Sequence, residues 1–313
     1  MYLLVAGGLF AALCGCDKPA PAFLLAKSPP ADGAPVLTIP FQFFHEFIFI
    51  TVNVNNRGPR TFLLDSGTPD HEISLRTAHE LGLPLGWLRR SAEGIGEATA
   101  EESSTKGVLL STANAKIYSG EAKVLNMAPL EKDFNHSIDG VLGGPLFEAY
   151  VVQIDYAKHE IRLFDPRNYQ IAGKRDVIPI LIKIHLPYIQ ASIFKTDGSS
   201  VVAKLLVDTG ADAPLSLNHP FSLKNGLLPA QATNTVSSTG IGGTSPDIFG
   251  HLKRLQISKS GFPNIPTFFS VATKGQYAND DYDGSIGNYL LEHFLVTFDY
   301  PHKQMILQAP TSK

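Results

Sequence analysis

The feature that most constrains this chain is a short motif that occurs twice. Asp-Ser-Gly follows an apolar run in Phe62–Thr68, and Asp-Thr-Gly follows another in Leu205–Ala211. An apolar strand that ends in an acid, a small hydroxyl and a glycine places a carboxylate at a tight turn that a neighbour can approach closely. Two carboxylates that share a site cannot both ionise easily, so one keeps its proton to a higher pH. The two turns therefore predict acid–base chemistry by Asp65 and Asp208.

The rest of the chain repeats at nearly the same offset. The string Asp-Gly-Val-Leu-Gly at 139–143 returns as Asp-Gly-Ser-Ile-Gly at 283–287, and Gly-Ile-Gly at 94–96 returns at 240–242. A period this long indicates two lobes rather than a solenoid of short repeats.

Short alternating runs and frequent turns fill both halves, and helical periodicity is weak outside residues 75–82. This pattern is typical of β structure. We therefore predict an all-β fold with two pseudo-symmetric lobes and a cleft between them. The predicted segments are a signal peptide at 1–16, a Pro/Ala-rich tether at 17–35, an N-terminal lobe at 36–165, a connector at 166–177 and a C-terminal lobe at 178–313.

The first sixteen residues carry a targeting pattern. Residues 2–13 are apolar but shorter than the roughly 18 residues that a spanning helix needs, which is typical of a signal peptide. Leu13–Cys16 resembles the lipobox of bacterial lipoproteins, in which the invariant cysteine, here Cys16, is lipidated and becomes the mature N-terminus. No Lys or Arg precedes the apolar run, so an uncleaved apolar N-terminus or a wrongly assigned start stays an alternative. The leader predicts an exported, periplasmic or extracytoplasmic protein that meets the membrane only through a lipid anchor.

Composition argues against several classes of function. The net charge is −3, the pI is near 6.4 and no basic run occurs, which disfavours nucleic acid as a partner. Both cysteines, Cys14 and Cys16, lie in the leader, so the remaining chain has neither disulfides nor a cysteine zinc site. A His-Glu-x-x-His run and a Gly-x-Ser-x-Gly elbow are also missing. We expect no metal and no cofactor.

The duplicated set of motifs resembles the aspartic proteases of the pepsin and retropepsin type. It comprises the Asp-Ser/Thr-Gly turn, a Gly-rich hairpin about 30 residues later and an apolar-apolar-Gly element. The likeness is greatest to retropepsins, with two copies fused in one chain, and it covers nearly everything after the leader. It implies an aspartic endopeptidase that hydrolyses peptide bonds in a peptide or protein substrate. With both aspartates in one chain, a monomer would be sufficient.

The resemblance also implies roles for individual residues. Asp65 and Asp208 would be the catalytic pair: one carboxylate takes a proton from the attacking water, and the other, protonated, donates to the carbonyl oxygen. Ser66 and Thr209 would cross-link the two active loops. The remaining implied residues are the loop residues Gly67, Thr68, Gly210 and Ala211 and the flap residues Gly94, Ile95, Gly96, Gly240, Ile241 and Gly242.

The two turns differ after their glycines, because Thr68 in the first corresponds to Ala211 in the second. A hydroxyl can stabilise an ionised carboxylate and a methyl group cannot. We therefore expect Asp208 to carry the shared proton more often, and activity to extend toward neutral pH. The alternative hypothesis is a non-catalytic peptide-binding or scaffolding protein that uses the same cleft, with the two aspartates as structural turn residues.

Overall fold

The computed structural model describes residues 6–7 and 33–310, apart from residues 88, 95–98, 113–114 and 230–234. Strands dominate both halves, so the predicted all-β class is confirmed. The strands of the first half are β1 (Ala6–Gly7), β2 (Leu37–Pro40), β3 (Gln42–Phe44), β4 (Phe47–Val54), β5 (Arg57–Leu64), β6 (Glu72–Ser74), β7 (Arg89–Glu93), β8 (Thr99–Thr112), β9 (Ala115–Leu125), β10 (Gly140–Leu142), β11 (Val151–Asp155) and β12 (Glu160–Phe164). Its helices are α1 (Leu75–Glu80), α2 (Ala128–Phe134) and α3 (Gly144–Ala149).

The second half repeats this order of elements. Its strands are β13 (Asp176–Pro179), β14 (Leu181–Lys183), β15 (Leu186–Phe194), β16 (Ser200–Val207), β17 (Ser216–Leu217), β18 (Thr235–Gly240), β19 (Gly243–Ile257), β20 (Ser260–Ser270), β21 (Gly284–Ile286), β22 (Leu295–Asp299) and β23 (Gln304–Gln308). Its helices are α4 (His219–Lys224) and α5 (Asn288–Leu291), with a 3₁₀ turn at Gln276–Ala278.

Each half is built on one large sheet that curls back on itself. The first has the order β3-β4-β5-β10-β6-β9-β8-β7 with an extra β4–β8 pairing, and the second has β1-β18-β19-β20-β17-β21-β16-β15-β14 with an extra β19–β15 pairing. In both sheets the strand that leads to the Asp-Ser/Thr-Gly turn lies between its hairpin partner and a parallel strand. Leu64 thus pairs with Leu142 in β10, and Val207 pairs with Ile286 in β21.

A third sheet joins the halves, with the order β13-β23-β22-β11-β12-β2. At its centre β11 runs antiparallel to β22, so the halves share continuous backbone pairing. Above it, Phe147 packs edge-on to Phe298 and stacks with Tyr300. The main hydrophobic cluster contains buried residues from both halves, and this common core fixes the two aspartate turns relative to each other.

The sequence did not predict two of the helices, α2 and α4. Each carries a proline in its first turn, Pro129 or Pro220, where the missing N–H costs nothing. The predicted helix at 75–82 forms as α1, with the Ser74 hydroxyl accepting a hydrogen bond from the Thr77 amide. The predicted connector at 166–177 overlaps β13, which begins at Asp176.

Within the described segments, no helix has both the length and the apolar character that crossing a bilayer requires. The predicted lipidation site, Cys16, lies outside the described residues, as does the predicted signal peptide apart from β1.

Candidate active site

The structure brings Asp65 and Asp208 together. Each follows the strand that ends at its turn, and each is fixed by a backbone hydrogen bond: the Asp65 amide donates to Leu142 O at 3.0 Å, and the Asp208 amide donates to Ile286 O at 2.9 Å. Both side chains are fully buried. The carboxyl groups lie within hydrogen-bonding reach of each other, so a proton on one can bridge to the other.

The hydroxyls of Ser66 and Thr209 cross-link the two turns. The Ser66 amide donates to Thr209 Oγ1 at 2.9 Å, and the Thr209 amide donates to Ser66 Oγ at 3.0 Å. Each hydroxyl in turn donates a hydrogen bond to the backbone carbonyl of the residue that precedes the aspartate of the other turn. Ser66 Oγ donates to Val207 O at 2.7 Å, and Thr209 Oγ1 donates to Leu64 O at 3.1 Å. Four buried hydrogen bonds therefore hold one aspartate turn against the other.

The glycines of the two turns set the spacing of the carboxyl groups. The Gly67 amide donates to Asp65 Oδ1 at 2.7 Å, and the Gly210 amide donates to Asp208 Oδ1 at 2.8 Å. A Cβ on Gly67 would lie 2.5 Å from Asp208 Cγ, and one on Gly210 would overlap the Asp65 carboxyl. Any side chain here would push the carboxyl groups apart, so both positions require glycine.

The surroundings of the two aspartates affect their pKa values differently, as expected from the hydroxyl of Thr68 and its absence at Ala211. Burial raises the pKa of Asp65 to about 6, and the Thr68 hydroxyl, which donates to Asp65 Oδ2 at 2.6 Å, opposes this rise. Burial and the adjacent Asp65 raise the pKa of Asp208 well above its usual range. Ala211 has no hydroxyl to offer, so the surroundings favour the ionised form at Asp65 and the protonated form at Asp208.

Asp139 and Asp283 lie behind the turns as structural residues. Asp139 Oδ2 accepts a hydrogen bond from the Thr61 amide at 2.8 Å, and Asp283 Oδ2 accepts one from the Lys204 amide at 2.7 Å. These bonds attach the strand before each active aspartate to the parallel strand beside it. The duplication therefore includes the support of each turn as well as the turn itself.

The second predicted flap is the hairpin of β18 and β19. Gly240 pairs with Gly243, which leaves Ile241 and Gly242 as its turn. Ile241 is buried in a cluster that otherwise belongs to the first half: Phe47, Phe49, Leu63, Leu125, Met127, Leu130, Phe134, Ile138 and Val141. The tip of the hairpin thus reaches across to the first-half sheet.

Of the first predicted flap, Gly94 lies in the described part of the chain, whereas Ile95 and Gly96 lie outside it. Gly94 is buried, and a Cβ there would overlap the carbonyl of Ile241. Its carbonyl accepts a hydrogen bond from the Gln276 amide at 3.2 Å. The two Gly-rich segments therefore meet.

The outer edge of the second hairpin pairs with another extended segment of the chain. In β1, Ala6 pairs with Thr239 and Gly7 with Ser238, in antiparallel register. Among the described strands, β1 alone pairs with this edge of β18 and thus forms the last strand of the sheet.

Sequence reasoning missed Asn288, a buried residue at the start of α5. Its Nδ2 donates to Glu46 O and to Thr209 O, both at 2.6 Å, and its Oδ1 accepts from the Tyr156 hydroxyl at 2.6 Å. Asn288 therefore joins the second active loop to the first half. The repeat could have indicated it, since the equivalent residue of the first half is Gly144.

Sequence reasoning also missed His71 and Glu72, which are buried just after the first turn. The Gly143 amide donates to His71 Nδ1 at 3.1 Å, and burial lowers the pKa of His71 to about 3. The equivalent positions of the second half hold Leu215 and Ser216, so a comparison of the halves would have marked both residues as unusual.

The described side chains include no group of three or more His, Cys, Asp or Glu placed to hold a metal ion.

Comparisons with known proteins gave three findings. A search of curated protein sequences found no match. Among solved structures, the crystal structure of basic 7S globulin from soybean matches with a TM-score of 0.48 and 9% identity, over 90% of this chain and 96% of that chain. Residues 50–146 match a family model described as aspartyl protease, and this segment includes the Asp-Ser-Gly turn at Asp65 and the Val-Leu-Gly element that supports it.

Proposed function

We propose that the protein is an aspartic endopeptidase whose catalytic pair is Asp65 and Asp208. The observation that carries this proposal is the meeting of two buried carboxyl groups at the ends of equivalent strands, with opposite protonation favoured at each. The match of residues 50–146 to an aspartyl protease family supports it. Two carboxyl groups of this kind supply a general acid and a general base in one site.

The proposed reaction uses a water held between the two carboxyl groups. Thr68 stabilises Asp65 as the anion. Asp65 takes a proton from the water while the water oxygen attacks the peptide carbonyl carbon. Asp208, protonated, donates to the carbonyl oxygen, which gives a neutral tetrahedral diol. In the second step Asp65 passes its proton to the leaving nitrogen while Asp208 recovers one from a diol hydroxyl. The C–N bond then breaks, and the pair returns to its starting state with one proton.

The substrate would lie extended along β18 between the hairpin and the two aspartates. The antiparallel pairing of Ala6–Gly7 with this edge supports the idea, because these residues of the chain already lie there as an added strand. Cleavage of a signal peptide before Cys16 would remove β1 and leave the edge open.

A peptide-cleavage experiment tests the proposal. The wild type is incubated with a mixed peptide library beside Asp65→Asn and Asp208→Asn, and products are measured by mass spectrometry. Asn has nearly the shape of Asp but cannot serve as a general acid or base, so we expect each variant to lose at least about 10³-fold in kcat/KM while it stays folded. Binding of peptides without cleavage by the wild type would instead support a non-catalytic peptide-binding protein.

We also propose export, a lipid anchor at Cys16 and a site that is complete in a monomer. The apolar leader and the lipobox-like Leu13–Cys16 support the first two, and the presence of both aspartates in one chain supports the third. Expression of the full chain in a bacterium tests the anchor. Cys16→Ala is expected to move the protein from the membrane fraction to the soluble fraction, and an unchanged distribution would contradict lipidation.

A further inference from the structure

Glu72 is unusual among the buried acids of the described chain, because neither of its carboxylate oxygens has a hydrogen-bond partner. Other buried acids each have at least one: Glu102 bonds to Lys123, Asp139 to Thr77, Asp155 to Arg162, Asp247 to Ser238 and Asp299 to Gln304. A buried carboxyl group without partners is costly for a fold. Such a group is expected where a ligand supplies the missing contacts.

The side chain of Glu72 lies on the face of the first-half sheet that meets the second half. In register, Glu72 pairs with Val141 on β10 and with Lys123 on β9, and paired residues project from the same face. Val141 belongs to the cluster that holds Ile241, the tip of the second-half hairpin. Glu72 therefore lies on the face of the first-half sheet against which the hairpin tip packs, next to the proposed path of the substrate.

The surroundings of Glu72 are acidic. Burial first, and then the negative charges of Asp65, Asp70 and Glu102, raise the pKa of Glu72 well above its usual range. Lys123, a cation on this face, bonds to Glu102 with an Nζ–Oε1 distance of 2.5 Å. A further cation on this face would therefore meet an excess of negative charge and an oxygen pair able to accept its hydrogen bonds.

We propose that Glu72 is a specificity-determining residue that binds a lysine or arginine side chain of the peptide substrate. This inference rests on the proposed peptidase function, since it assigns the substrate class of the same cleft. Glu72 gives up its proton when the cation arrives, and the ion pair replaces the unpartnered acid. The second half has Ser216 at the equivalent position, so the preference for a basic side chain applies to one side of the cleft only.

The test compares lysine with Nε-acetyl-lysine, which has nearly the same shape but no charge. Peptides that the wild type cleaves are made with either residue at each position near the cleaved bond. At one position we expect the wild type to prefer lysine by at least about 10-fold in kcat/KM, mainly through KM, and Glu72→Gln to reduce this preference to about 2-fold or less. The control is Glu121→Gln, which removes an exposed charge from β9 and is expected to retain the preference.

Other outcomes separate the two proposals. Equal use of both peptides by the wild type at every position, or an unchanged preference in Glu72→Gln, would overturn the role of Glu72 while leaving the peptidase intact. If the wild type cleaves nothing, the role of Glu72 is tested by measuring the binding of the same peptides by calorimetry. Lysine-selective binding that Glu72→Gln abolishes would support Glu72 without catalysis, and no selective binding would overturn it. Should Glu72→Gln fail to fold, Glu72→Leu, which also removes the charge, takes its place in both assays.

Discussion

The hydroxyl of Thr68 donates a 2.6 Å hydrogen bond to Oδ2 of Asp65, whereas the matching residue beside Asp208 is Ala211, which has no hydroxyl to donate. The two carboxyl groups therefore lie in similar turns but differ in the charge state that their surroundings favour. This inequality assigns the base to Asp65 and the acid to Asp208 in the proposed reaction.

The pH dependence of activity tests this assignment. The proposed base must be ionised, so activity is expected to fall as the pH drops through about 6, the pKa of Asp65. Thr68→Val keeps the shape but removes the donor, which raises the pKa of Asp65 and moves the acid limb of the kcat/KM profile to higher pH. Thr68→Ser keeps the hydroxyl and serves as the control. A wild-type optimum in strongly acid solution would contradict the assignment.

Ser66 is expected to contribute to stability through the cross-link between the turns. Ser66→Ala removes the acceptor of the Thr209 amide and the donor to Val207 O, and it leaves a buried N–H unbonded. We expect a loss of about 2 to 4 kcal/mol in the free energy of unfolding, measured with urea. Ser66→Thr introduces the residue that the second half uses and is expected to cost less than about 1 kcal/mol. Equal losses in both variants would argue against the cross-link.

Much of this architecture followed from the repeat. The equivalent strands β5 and β16, the turns at Asp65 and Asp208 and the hairpin around Ile241 were all visible as duplicated strings, because backbone turns and buried strands impose strong local patterns. A string that occurs twice is a far stronger signal than one that occurs once. The predicted segment boundaries and the catalytic role of the pair stay predictions.

The parts that sequence reasoning missed are those where the halves differ. Asn288, His71 and Glu72 occupy positions that hold Gly144, Leu215 and Ser216 in the other half. Asn288 and His71 bind partners far along the chain, such as Glu46, which is 242 residues from Asn288, and no local pattern encodes such a contact. The carboxyl group of Glu72 has no hydrogen-bond partner in the described chain to reveal it. A search for repeated residues passes over them, although a search for departures from the repeat would find them.

Asn288 provides a test of the contact between the halves. Asn288→Ala removes hydrogen bonds to Glu46 O, Thr209 O and the Tyr156 hydroxyl, all of them in a buried setting. We expect a loss of about 3 to 4 kcal/mol in the free energy of unfolding, together with lower activity because Thr209 belongs to the second active loop. Tyr156→Phe removes only one of the three bonds and is expected to cost about 1 kcal/mol. An Asn288→Ala protein as stable as the wild type would contradict this role.

His71 is expected to make the fold sensitive to acid. Its pKa is lowered to about 3 by burial, whereas an unfolded histidine titrates near 6.5. Between these values the unfolded chain binds a proton that the folded chain does not, so the contribution of His71 to stability falls as the pH falls. From pH 7 to pH 5 the expected loss is about 2 kcal/mol, from a slope that approaches 1.4 kcal/mol per pH unit.

The variant His71→Asn isolates this contribution, since its side-chain oxygen can still accept the hydrogen bond from the Gly143 amide but does not titrate. The measurement is the free energy of unfolding in urea at pH 7, 6 and 5 for both proteins. The raised pKa of Asp65 increases stability as the pH falls over part of this range. This contribution is the same in both proteins, so it cancels when the stability of the variant is subtracted from that of the wild type. That difference is expected to shift in favour of His71→Asn by about 2 kcal/mol on going to pH 5. A difference that stays constant with pH would mean that His71 can take up a proton in the folded protein at little cost.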